Sequence, residues 1–206
     1  MKFILYFLTL AALSYNLIGQ TIKRYDKDDL NIFGQPRFNA KPAQVIKKNG
    51  NTYNVYEKKD LNHFGQPSFN AKPSSVIKKS GNTYKTYNQS SIGVFGQPTF
   101  NAKPSSVIKK SGNTYKTYNQ SSIGVFGQPT FNAKPSSVMK KSDNTYKTYN
   151  QSSIGVFGQP TFNAKPSSIG KVEGNQIKTY NKSSIGTFGE PTFNAKPTSV
   201  YQLKRK

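Results

Sequence analysis

The chain has 206 residues, with 30 Lys and Arg against 8 Asp and Glu, one His, no Cys and a formal charge of +22. That balance favours polyanionic partners and disfavours self-association, and the lack of Cys excludes a disulfide-stapled domain. Apolar residues make up 33%, low for a globular core, yet fixed aromatic and β-branched positions exclude a disordered polar tract.

Residues 1–20 read as a secretory signal peptide. Lys2 precedes an apolar run from Phe3 to Leu13, too short for a comfortable membrane span, and a more polar stretch ends at Gly19-Gln20. The mature chain, residues 21–206, is therefore expected to start near Thr21 and to be secreted or cell-surface associated, with no transmembrane segment.

The rest is a tandem repeat. The decapeptide Phe-Gly-Gln-Pro-Thr-Phe-Asn-Ala-Lys-Pro recurs with few changes from Phe33, Phe64, Phe95, Phe126, Phe157 and Phe188, a period of 31 residues. A fixed period in this range marks units stabilised by stacking on their neighbours. In one unit, Val76-Ile-Lys-Lys and Asn82-Thr-Tyr-Lys-Thr-Tyr87 flank Ser80-Gly81, which predicts a β-hairpin with Ser80-Gly81 as its two-residue loop. The second loop position is Gly or Asp in every copy, as a positive φ requires. This register places Ile77 opposite Tyr84, on one face with Ser75 and Thr86. Ile92-Gly-Val-Phe95 is expected to be a short third strand, and Pro98 and Pro104 bound an extended crossing. The phenylalanines are expected to form the stacked core, leaving the tyrosines more available to sugar rings or bases.

Thr21–Asp26 aligns with the second hairpin strand and Ser199–Lys206 with the first, so five complete hairpins lie between two halves. The expected fold is all-β, an open solenoid-like array with Lys204, Arg205 and Lys206 blunting its end. The alternative is a closed toroid sealed by the two termini.

Catalytic chemistry is not legible. His63 has no Cys or second His with which to share a metal, carboxylate pairs do not recur, and no unit offers a base to activate its serines. No enzyme, cofactor or small-molecule substrate is expected. The Asn-x-Ser triplets at Asn88, Asn119, Asn150 and Asn181 fit the glycosylation acceptor pattern. The charge is the remaining signal. Residues 61–142 contain no acid, whereas each unit carries four lysines. The expected polyanion-binding residues are Lys78, Lys79, Lys85, Lys109, Lys110, Lys116, Lys140, Lys141 and Lys147, with acidic polysaccharide, cell-surface polyanion or extracellular nucleic acid as partner. A structural or adhesive matrix role is the alternative.

The leader ending in Gly19-Gln20, the lack of Cys and the Asn/Lys/Tyr-rich hairpins resemble small secreted tandem-repeat proteins of Bacteroidetes type. That resemblance implies export and a β-rich repeat. Ala71-Lys-Pro-Ser74 and Thr83-Tyr-Lys85 are similar to pieces of mussel adhesive foot proteins, which implies adhesion, although the Phe-Gly-Gln-Pro-Thr-Phe segment is foreign to that pattern.

Overall fold

A computed structural model describes residues 21–204; the expected signal segment, Arg205 and Lys206 lie outside the described residues, as does the side chain of Lys204. Twelve strands of six residues follow one another: β1 (Thr21–Asp26), β2 (Gln44–Asn49), β3 (Thr52–Glu57), β4 (Ser75–Ser80), β5 (Thr83–Asn88), β6 (Ser106–Ser111), β7 (Thr114–Asn119), β8 (Ser137–Ser142), β9 (Thr145–Asn150), β10 (Ser168–Glu173), β11 (Gln176–Asn181) and β12 (Ser199–Lys204). Each pairs antiparallel with its chain neighbours, and β1 pairs with β12, so the sheet closes on itself.

Closure overturns the open array. Thr21 to Asp26 pair with Lys204 to Ser199 along all six positions, so the two terminal half-hairpins make the sixth hairpin. The physical reason is the edge: an open array leaves two strands with unpaired backbone groups, and closure removes both. The seam has its own chemistry. Ile22 faces Leu203 where four of the other hairpins set a Tyr against a Lys, and Arg24 faces Tyr201.

The hairpins form where expected, with a different register. Ser80 pairs with Thr83 and Lys79 with Tyr84, so the loop is Gly81-Asn82 rather than Ser80-Gly81. Gly81, Gly112 and Gly174 have φ of 53°, 53° and 58°, and Asp143 stands at 47°. Positive φ thus falls at the first loop position, where a turn matching the strand twist also accepts it. Moving the loop by one residue moves each pairing by two, which leaves every side chain on its expected face. Ile77 and Tyr84 do share a face, but Ile77 pairs with Thr86 in its own hairpin and with Tyr53 in the preceding one.

That face is the inside of the barrel. Ile46, Tyr53, Ile77, Tyr84, Ile108, Tyr115, Met139, Tyr146, Ile177 and Tyr201 form one buried cluster, closed at the seam by Ile22. Above the tyrosines, at the hairpin-loop end, sit Lys48, Lys79, Lys110 and Lys141, each with its ammonium 5.7–5.8 Å from a tyrosine ring centre. Below the Ile layer the lining turns polar: the hydroxyls of Ser75, Thr86, Thr117, Thr148 and Ser168 are buried with no protein partner.

The outer face is buried too at the level of the valines, because the long connections fold over that end of the strands. Val76, Val107, Val138 and Val200 have no exposed surface, and Tyr25, Leu30 and Val200 pack together with Ala40 of the loop. No third strand forms. A short 3₁₀ turn (Gln89–Ser91) follows β5, and Ile92 makes a single bridge to Pro98. The bonds around it, Gly93 N–H to Gln97 O at 2.8 Å and Thr99 N–H to Ser91 O at 3.0 Å, need no donor from Pro98.

The phenylalanines are not the core. In each loop one turn closes from Gly96 N–H to Gly93 O and the next from Ala102 N–H to Thr99 O, both at 3.1 Å. Val94 and Phe95 occupy the centre of the first turn, and Phe100 and Asn101, with φ of 58°, the centre of the second. Central turn positions point side chains away from the chain. Both phenylalanines of every decapeptide, from Phe33 and Phe38 to Phe188 and Phe193, are accordingly 75–95% exposed.

Adjacent units are also stitched by their loops. Lys41 Nζ donates to Leu61 O at 2.8 Å, and Lys196 Nζ donates to Leu30 O at 3.1 Å across the closure.

Candidate anion-binding wall

The nine expected lysines divide by strand parity. Lys79, Lys110 and Lys141 are on the inner face over Tyr84, Tyr115 and Tyr146. Lys78, Lys85, Lys109, Lys116, Lys140 and Lys147 are on the outer face, where they meet as directly opposed pairs, Lys78 with Lys85, Lys109 with Lys116 and Lys140 with Lys147. Like charges directly opposite one another destabilise a sheet, and water or a counter-anion must offset this. Three such pairs stand side by side on successive hairpins, and Lys171 with Lys178 makes a fourth.

The backfolded loops complete this wall. The loop after β7 reaches two strands back: a Cβ on Gly127 would lie 3.1 Å from Lys85 Nζ and 3.3 Å from Pro104. One unit on, a Cβ on Gly158 would lie the same 3.1 Å from Lys116 Nζ, which donates to Phe157 O at 3.4 Å. The glycine is needed here, because φ is +65° at Gly127 and a side chain would meet the ammonium and the proline.

The residue after that glycine meets two lysines in one unit. In the last unit it is Glu190, and its Oε1 and Oε2 lie 3.0 Å from Lys147 Nζ and Lys171 Nζ respectively. Partial burial pushes the Glu190 carboxyl up, but hydrogen bonds from Lys147 and Lys171 outweigh this and hold it below the ordinary carboxylate value. In the other units the residue is the neutral Gln35, Gln66, Gln97, Gln128 or Gln159. Beside Gln159 the wall opens into a cleft of about 360 Å³ lined by Lys109, Lys110, Ser111, Thr114, Lys116 and Tyr118.

Sequence reading missed two features of this surface. One is the loop contact with the wall, whose signal was the single Gln-to-Glu change at Glu190. The other is the exposed phenylalanine set. His63, in a slot that other copies fill with Val, Ile or Thr, is exposed and meets Phe64 edge-on at 5.8 Å.

No protein-family model matches the chain, and no curated protein does. Among solved structures it is similar to Hsv2 from Kluyveromyces marxianus, with a TM-score of 0.31 and 11% identity over 71% of this chain and 57% of that one. Hsv2 from Kluyveromyces lactis gives a TM-score of 0.31 and 10% identity over 71% and 59%. The chain thus spans under two thirds of these structures, and a likeness so slight carries no argument about fold or function.

Proposed function

We propose that the protein is an exported, non-enzymatic ring that binds anionic polymers or surfaces through lysine pairs repeated around its outer wall. The observation that supports this most directly is the side-by-side placement of Lys78/Lys85, Lys109/Lys116 and Lys140/Lys147. Each pair is a place where an anion relieves repulsion, and linked copies multiply weak contacts into avidity.

The face assignment makes the test selective. Replacing the six outer lysines by Gln should lower affinity for an acidic glycan or DNA at low salt on the order of 10³-fold and flatten the salt dependence. The variant should melt no lower than the parent, since it removes opposed like charges. Replacing Lys79, Lys110 and Lys141 by Gln should change affinity only a few-fold, while costing roughly 0.5–1 kcal/mol of stability at each tyrosine. Binding by the six-Gln variant as tight as the parent's would overturn the electrostatic reading.

A second reading, adhesion, is favoured by the phenylalanine display, because exposed apolar groups of this number mark interaction surfaces. Here Phe95, Phe100, Phe126 and Phe131 replaced by Ser should reduce retention on an apolar surface without lowering the melting temperature. Undiminished retention counts against it.

A further inference from the structure

The sixth unit carries its own bound carboxylate. Glu190 spans two lysines of neighbouring strands, Lys147 on β9 and Lys171 on β10, one oxygen to each at 3.0 Å. These lysines are diagonal neighbours on the outer face, since Thr145 pairs with Lys171 and Lys147 with Ile169. The same diagonal recurs one period earlier as Lys116 and Lys140, and two periods earlier as Lys85 and Lys109. Diagonal partners stand about 7–8 Å apart, a gap that one carboxylate bridges from above.

The loops above the three diagonals correspond as well. Gly127, Gly158 and Gly189 each hold the first lysine beneath them, with Nζ 3.1, 3.1 and 3.6 Å from the place a Cβ would take. Within the decapeptide only the next residue differs: Gln128, Gln159 and Glu190. Among the described residues no carboxylate pairs with Lys85, Lys109, Lys116 or Lys140. The Gln66 unit keeps the diagonal, Lys23 with Lys47, with Lys23 Nζ 3.8 Å from the place a Cβ on Gly65 would take, but there Lys23 is buried. In the Gln97 unit the position equivalent to Lys85 is Asn54, and Gln35 accepts from Gln176 Nε2 at 2.7 Å.

We propose that the Gln128 and Gln159 positions are carboxylate-binding sites for an acidic polysaccharide, each taking a uronate carboxylate where Glu190 supplies one from within the chain. This rests on the polyanion-binding reading above and narrows it to two adjacent sites and one ligand class. Each site offers two ammonium groups, one per oxygen, and a Gln amide that can donate to the same anion, which Glu190 cannot.

The test fills the sites from inside. Binding of oligogalacturonate to the full mature chain is compared for the parent, for Q128E/Q159E, and for S90D/S121D. The last pair adds the same charge at positions where the first unit carries Asp28. Q128E/Q159E should lose at least about tenfold in affinity, roughly 1.4 kcal/mol, while S90D/S121D loses less than about threefold through the general field. E190Q, which vacates a third lysine pair, should bind more tightly than the parent. Equal losses in the two double variants would overturn the sites and leave the lysine wall as a diffuse surface. No binding by the parent would overturn the wall as well. A DNA oligonucleotide losing as much as oligogalacturonate would overturn the carboxylate assignment.

Discussion

A chain ending at Thr198 is expected to lose the ring. The truncation removes β12, which pairs with β1 along six positions and with β11 along four. It takes Val200 and Tyr201, both without exposed surface, out of the two cores, and uncovers Tyr25 and Leu30. Losing a buried aromatic side chain alone costs about 3–5 kcal/mol. Two unpaired edges are added to that, against a total stability of about 5–15 kcal/mol for a typical domain. Circular dichroism should show a broad, low melting transition, and size-exclusion chromatography should show association through the open edges. A synthetic peptide of residues 199–206 added in trans should restore the sharp transition by strand addition. A truncated chain that melts with the parent would mean that five hairpins suffice and that closure is incidental. Deleting one internal unit distinguishes the two architectures again. An open array keeps every remaining interface in register, whereas a ring must close ten strands at a different curvature, and the fold is expected to suffer.

Alkaline pH should open the same ring from inside. Burial raises Tyr84 from 10.0 to about 12, with the neighbouring Tyr115 and Tyr53 adding to it. Burial likewise raises Tyr201 to about 12 and raises Tyr53. In the unfolded chain these phenols ionise near the ordinary value. The folded state therefore prefers the protonated form. The resulting stability is fully present below pH 10 and is lost as pH rises toward about 12. Each unit of separation is worth about 1.4 kcal/mol per tyrosine, and several tyrosines share the core. Unfolding by circular dichroism and the rise in tyrosinate absorbance should coincide in one step above pH 10. Tyr84→Phe should keep neutral-pH stability within about 1 kcal/mol, whereas Tyr84→Ala should cost about 3–5 kcal/mol in urea titrations. Independent, gradual ionisation with the fold intact would show that the tyrosines are not a structural core.

The local structure was legible because it is local. Glycine or Asp at one loop position in every copy fixes a hairpin, and alternation fixes faces: Ile77 and Tyr84 share a side whether the loop is Ser80-Gly81 or Gly81-Asn82. The pairing within the hairpin was not legible, because Gly81 satisfies a positive φ at either loop position. The Ile92 to Phe95 run looked like a strand because it is apolar and β-prone, but the 3₁₀ turn before it and the bridge to Pro98 use up its hydrogen bonds.

The sequence by itself determined the repeat, the hairpins, the charge and the lysine positions. Only the tertiary structure decided three other matters. Closure depends on curvature summed over six units, which no single unit encodes, although the half-hairpins at both ends leave it possible. The roles of the aromatics were exchanged, because burial depends on what a face meets. Tyr84 points into a barrel filled by its counterparts, and Phe95 and Phe100 sit at the centres of turns that nothing covers. The lysine wall acquired its sites only when loops folded back two strands and set Gly127, Gly158 and Gly189 over lysines some forty residues earlier in the chain, with Glu190 reaching Lys147.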